Sequence, residues 1–282
     1  MTNAAPTLRR ADGGGLARIG QLSIAWLLAA FVLIPLAVML VTSFKTQRQI
    51  FEHGFSFLFM PTLENYRTIL EGRFLGYVGN SIVVGVVATL LTLALGTMCA
   101  YALSRFTFMG RTSLAMGTLL LRTIPPAVLA VPIYFIWNSI GLQGLNGLIL
   151  VYVALNLPFT IWLLYGFIEQ VPRELEESAA VDGCGPFRGF FVLILPLLKP
   201  GLAAAGIFTF RIAWNELVLA SILTNRTSRT LPYAVFLTIK DTGIDWGELM
   251  AAGVLVAIPP LLFTFVAARQ IIAGLTSGAV KG

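Results

Sequence analysis

Three stretches of this chain carry no charged residue at all: the residues between Arg18 and Lys45, those between Arg73 and Arg105, and the run from Thr123 to Ile168. Water cannot solvate apolar runs of that length, but a bilayer can. About 20 helical residues rising about 1.5 Å each match a hydrocarbon layer about 30 Å thick. The remainder of the composition agrees, with 57% hydrophobic and 11% charged residues against about 25% charged in a soluble domain. A soluble enzyme, a nucleic-acid binder and a disordered scaffold are thereby excluded, and the net charge of +6 calls for a topological explanation. Cys99 in an apolar run and Cys184 in a polar loop do not make a disulfide framework.

The spacing predicts an all-α membrane protein with six transmembrane helices. They are placed near 20–43, 78–104, 112–137, 148–168 and 201–223, with the last between Glu248 and Arg269. The third carries Arg122 and the fifth Arg211 and Glu216; the turn from Gly141 to Gly147 separates the third from the fourth. With the N-terminus inside, ten Lys and Arg residues fall on the cytoplasmic side (Arg9, Arg10 and Lys281 among them) against seven outside. Such enrichment marks cytoplasmic segments, so both termini are expected in the cytoplasm. The first apolar run exceeds the about 7–15 residues of a signal-peptide core and no small-residue cleavage site follows, which reads as an uncleaved helix. Residues 1–17 read as a disordered tail and 18–273 as the membrane domain. Outside, Pro61 is expected to start a short interfacial helix.

The polar insertion at about 169–199 holds the most information. Pro172 suits a first helical position, Glu174, Glu176 and Glu177 suit the positive end of a helix dipole, and Gly183 suits a left-handed cap. Pro186 starts a second helix across Gly183-Cys-Gly185, and Leu195-Pro196 breaks the run before the membrane. From residue types alone, this is either an elbow shaped for the groove of a cytosolic partner or a solvated loop.

The spacing of Glu177-Ser178-Ala179, three residues, Gly183, nine residues and Leu193-Ile-Leu195-Pro196 resembles the EAA loop of ABC importer permeases, with Ser178 and Leu193 as mild departures. Pro61-Thr-Leu-Glu-Asn-Tyr66, Trp214-Asn215-Glu216, Asp245-Trp-Gly247 and the ending Gly274-Leu275-Thr276 to Lys281-Gly282 are similar to the MalG-like subunits of carbohydrate importers. The resemblance covers the chain from about residue 20 to its end. It implies a type I ABC importer permease fold whose cytoplasmic coupling helix docks on an ATPase, with Glu177 facing a basic residue there. It also implies a tail, 274–282, that reaches the ATPase pair. The implied partners are an ATPase dimer, a second non-identical permease, an extracytoplasmic solute-binding protein, a sugar-type solute and membrane lipid, without nucleic acid. The chain lacks a Gly-x-x-x-x-Gly-Lys-Ser/Thr loop, so it is expected to bind no cofactor itself, ATP and magnesium belonging to the ATPase.

Charged and amide residues within spans usually face a protein interior or a watery path. Arg122, Asn156, Arg211, Trp214, Asn215 and Glu216 are therefore candidates for the translocation path of an alternating-access transporter. The other reading of the same residues is structural: capping carbonyls at kinks or pairing between helices. Tyr134, Trp137 and Trp214 fit sugar stacking or an interfacial belt. Against the apolar residue expected there in the family, Arg211 suggests an anionic solute such as an acidic or phosphorylated glycoside. His53 stands without metal-ligand neighbours, so no metal site is expected, and no nucleophile arrangement suggests an enzyme. A channel or secondary carrier independent of ATP is the alternative, and it would need internal repeats that the halves do not show.

Overall fold

A computed structural model of the chain describes residues 14–54, 56–240 and 243–279; Arg9, Arg10 and Lys281 lie outside the described residues. In order, the helices are α1 (Gly14–Ser43), α2 (Gln47–His53), α3 (Glu64–Glu71), α4 (Phe74–Arg105), α5 (Arg111–Leu121), α6 (Pro126–Ser139) and α7 (Leu145–Glu169). There follow α8 (Arg173–Val181), α9 (Pro186–Gly189), a π-helical turn (Phe190–Ile194), α10 (Leu195–Leu197), α11 (Lys199–Asn215), α12 (Val218–Leu223), α13 (Leu231–Phe236) and α14 (Trp246–Ala279). The fold is helical except for a two-residue antiparallel pairing of β1 (Ile239–Lys240) with β2 (Gly243–Ile244). Helix α1 begins at Gly14, inside the segment expected as a tail, and α3 begins at Glu64 rather than at Pro61.

Among the described residues, four helical stretches are long and apolar enough to cross a bilayer: Arg18–Ser43, Phe74–Arg105, Leu145–Glu169 and Trp246–Phe265. The two other expected crossings are broken. The run expected at 112–137 parts into α5 and α6, because Pro125 and Pro126 have no N–H to offer the carbonyls of the preceding turn. At about 1.5 Å per residue, neither piece alone covers a layer about 30 Å thick. The run expected at 201–223 parts at Glu216 and Leu217 into α11 and α12. On its other side, α11 meets the segment Pro186–Leu197 at a 74° bend. There Pro196 and Pro200 each remove a donor, and the local register slips to a π-turn in which the Leu195 N–H reaches the Phe190 carbonyl.

Helices α4 and α7 form the centre of the bundle. The buried face of α4 reads Ser81, Gly85, Ala88, Thr92, Gly96 and Ala100, small residues at one-turn spacing. In lipid such faces let two backbones approach closely, where dispersion replaces the hydrophobic drive lost to an apolar solvent. A Cβ added at Gly96 would stand 2.7 Å from Thr160 Cγ2 of α7, so only glycine fits the crossing. Helix α11 packs on both, α14 on α11, and the end of α1 on α14. Beyond α1, the buried Asn65 donates to the carbonyls of Ser43 (2.8 Å) and Lys45 (2.9 Å), and Tyr66 Oη lies 2.7 Å from Ser43 Oγ. This is the physical work of the 61–66 motif: it closes the exit of α1.

Gly96→Leu should overpack this crossing and destabilise the bundle by about 1–3 kcal/mol. Gly117→Leu, whose site has nothing within 4 Å of an added Cβ, should not. Thermal melts of the two variants in detergent provide the comparison.

Candidate coupling elbow and membrane path

The insertion folds as a two-armed elbow. Its first arm, α8, has no buried residue. Gly183, at φ +81°, ends it in a Schellman closure, with Cys184 N–H donating to the Ala179 carbonyl (2.9 Å) and Gly183 N–H to that of Ala180 (3.0 Å). A side chain at that φ would be strained. The second arm buries Phe190, Ile194 and Leu198, four residues apart, with Ala100, Leu103, Leu164 and Ile168 from α4 and α7. An apolar wedge therefore seats one arm, and the other stands free of the core.

Polar contacts hold α8. Glu176 accepts from Arg105 Nε (2.5 Å) on one oxygen and from Tyr101 Oη (2.6 Å) on the other. Arg105 is 8% exposed and Glu176 21%. The same guanidinium donates to the carbonyls of Ile168 (3.2 Å), in the last turn of α7, and of Val171 (2.9 Å), just beyond it. Arg173 donates to the Ser104 carbonyl (2.9 Å), and the Ser104 hydroxyl donates to Glu169. Arg111 donates to Tyr165 Oη (3.1 Å). Arg173, Glu176 and Ala179 share the inner face of α8; Glu177, one position on, points outward and is exposed. Ser178 donates back to the Glu174 carbonyl (2.7 Å), while Leu195 is half-buried and Pro196 exposed.

The expected path residues divide. Trp214 is 1% exposed and its indole N–H donates to the Val256 carbonyl (3.2 Å), the acceptor that Pro260 leaves without its helical donor. Glu216 caps α12, accepting from the N–H groups of Leu219 (3.0 Å) and Ala220 (3.2 Å), and takes the Tyr152 hydroxyl at 2.9 Å. Asn156 is buried and donates to the Tyr152 carbonyl of its own helix (2.8 Å). These three complete the bundle, which is the structural alternative. Arg122 and Arg211 stay open, and Asn215, though exposed, donates to the Arg211 carbonyl of its own helix (2.8 Å). The Arg122 guanidinium lies 4.4 Å from the Phe159 ring centre, and Phe159 meets Phe208 at 5.4 Å. Phe208, Arg211 and Asn215 follow at one-turn spacing on the exposed face of α11. Arg211 and Asn215 also line a cavity of about 430 Å³ with Leu36, Met39 and Phe263. Among the described residues no carboxylate forms an ion pair with Arg211 or Arg122, and none of their clusters suits a metal ion.

Arg105 and Glu176 entered the sequence argument only as an inward charge and a helix-start acid. A 100° step per residue predicts that neighbouring glutamates of α8 face apart, but not which one turns inward. Gly274, Leu275 and Thr276 continue α14 as helix.

The architecture is that of an importer permease. It matches a chain in the crystal structure of a bacterial ABC transporter involved in the import of the acidic polysaccharide alginate, with TM-score 0.72, 20% identity, and 94% of this chain and 99% of that one covered. Residues 92–276 match the model of the binding-protein-dependent transport system inner membrane component family, and the chain belongs to that family. It is 40% identical over 257 residues to the diacetylchitobiose uptake system permease protein DasC of Streptomyces coelicolor, covering 89% of this chain and 92% of that protein. It is 38% identical over 226 residues to the trehalose transport system permease protein SugB of Mycobacterium tuberculosis, covering 78% and 82%. The chain is thus a multi-pass inner-membrane permease subunit.

Trp214→Phe should cost about 1–3 kcal/mol by stranding a buried carbonyl. In a Pro260→Ala background, where position 260 regains an N–H for Val256, at least half of that cost should vanish. A double-mutant cycle of melting midpoints measures the difference.

Proposed function

We propose that the chain is the permease subunit of an ATP-driven importer for a sugar or sugar derivative, with α8 as the coupling helix of a separate ATPase. The observation that carries this reading is the elbow. It presents an acidic outer face at Glu177 on an arm free of the core, ended by a glycine turn, with Val181 89% and Phe187 82% exposed at its tip. An exposed carboxylate and apolar tip suit a cleft with a basic wall, and a fixed turn sets the angle of docking. Membership of the binding-protein-dependent transport family supports a binding protein as donor of solute, and similarity to diacetylchitobiose and trehalose permeases supports a carbohydrate cargo.

Counting α5 with α6 and α11 with α12 as one broken crossing each gives six, with both termini and the elbow in the cytoplasm. ATP and magnesium belong to the ATPase dimer. Nucleotide-driven closure of that dimer draws this elbow toward that of a second, non-identical permease, turning the pore outward; hydrolysis returns it. The tail 274–282 docks on the ATPase pair.

The open face of α11 supports a second, narrower reading. Arg211 holds an uncompensated charge at membrane depth beside Phe208 and Asn215, which suits an anionic glycoside or phosphorylated solute. Charge at that depth is expensive unless function uses it.

Glu177→Ala and Gly183→Leu should insert normally yet lose most solute uptake and stimulated ATP turnover in proteoliposomes; uptake at the parental rate by both would overturn the coupling role. Arg211→Met should reduce uptake of an anionic glycoside about tenfold, the scale of one lost charged contact, while sparing a neutral one. Unchanged selectivity would remove the anionic reading.

A further inference from the structure

The structure assigns Arg105 as the positioning residue of the coupling arm: its guanidinium straps α8 to the joined ends of α4 and α7, so that a push on α8 moves the bundle instead of swinging the arm. This inference rests on the reading that α8 docks on the ATPase. Three observations carry it. Helix α8 buries nothing, so no apolar packing resists its rotation. It is bounded by Pro172 on one side and by Gly183-Cys184-Gly185 on the other, a joint that an unstrapped arm would turn about. The inward contacts of its carboxylates converge on one point, Glu176, gripped by Arg105 and Tyr101.

Arg105 suits this role for a chemical reason. A planar guanidinium presents five donors in a fixed fork, so one side chain reaches a carboxylate, the Ser104 hydroxyl (3.2 Å), a carbonyl of α7 and one of the linker that follows it at once. The Tyr101 ring is itself wedged edge-on against Phe190 (4.9 Å) of the second arm, so strap and wedge share a residue. Force received on α8 therefore enters α4 and α7 through ionic contacts and the second arm through Tyr101. Glu177 takes up the partner outside; Glu176 hands the load inward.

The test uses the whole transporter, permeases with ATPase and binding protein, in proteoliposomes. Arg105→Gln should insert, co-purify with the ATPase at parental yield and hydrolyse ATP within about twofold, while solute transported per ATP falls about three- to thirtyfold. Arg105→Lys keeps the charge but not the fork and should regain less than half of the loss. A parental transport ratio in Arg105→Gln overturns the strap, and so does loss of the ATPase from the complex, which would make Arg105 a docking group. If Arg105→Gln does not insert, Tyr101→Phe, which removes one hydroxyl from Glu176, must lower the ratio in the same direction; a parental ratio there also overturns it. Glu177→Ala run alongside separates the two ideas. Parental uptake by Glu177→Ala beside an uncoupled Arg105→Gln removes Glu177 as the docking group and leaves the strap.

Discussion

In hydrocarbon a backbone group without a partner costs several kcal/mol, and water is not there to supply one. Helix breaks create such groups, and at two breaks in this chain a polar side chain answers them. Pro260 orphans the Val256 carbonyl and Trp214 donates to it. The break after Asn215 exposes the first N–H groups of α12 and Glu216 accepts them. Beyond the crossings, where α7 runs into the elbow, Arg105 likewise donates to the carbonyls of Ile168 and Val171. Broken crossings are thus affordable in this bundle only because specific side chains stand beside them.

That constraint gives three of the six candidate path residues a structural partner. Trp214, Asn156 and Glu216 each have a backbone acceptor or donor within reach and are consumed by it. Arg122, Arg211 and Asn215 are exposed, with Phe159 and Phe208 beside Arg122 and Phe263 in the cavity that Arg211 and Asn215 line. Both arginines are exposed and, among the described residues, neither has a carboxylate partner; on the proposed reading they face a pore or a second subunit, because a charge at membrane depth is costly without polar surroundings.

Helix positions were legible because charge-free runs are a one-dimensional signal: α4 and α7 extend only a few residues beyond the runs that announced them. The Gly183 closure was legible too, since a left-handed cap is local chemistry. Two things were not. Pro125-Pro126 and the acid at position 216 mark disruptions, but whether a helix kinks or stops depends on which neighbours satisfy the freed groups. The choice between Glu176 and Glu177 is a matter of helix phase against α4, which no local pattern encodes. Arg105, some seventy residues away in sequence, decides it.

If α8 docks on an ATPase as proposed, adjacent glutamates divide a task that neither could perform alone. Were both turned outward, α8 would dock firmly but pivot at the glycine joint, and the motion of the ATPase would be lost in the arm. Were both turned inward, the arm would be rigid and present no charge to a partner. A step of about 100° between neighbouring helical residues resolves the conflict with no extra element. On that reading the acidic helix start is a joint between two surfaces, and its half-buried ion pair serves for the direction it imposes rather than for stability, to which such pairs add little net.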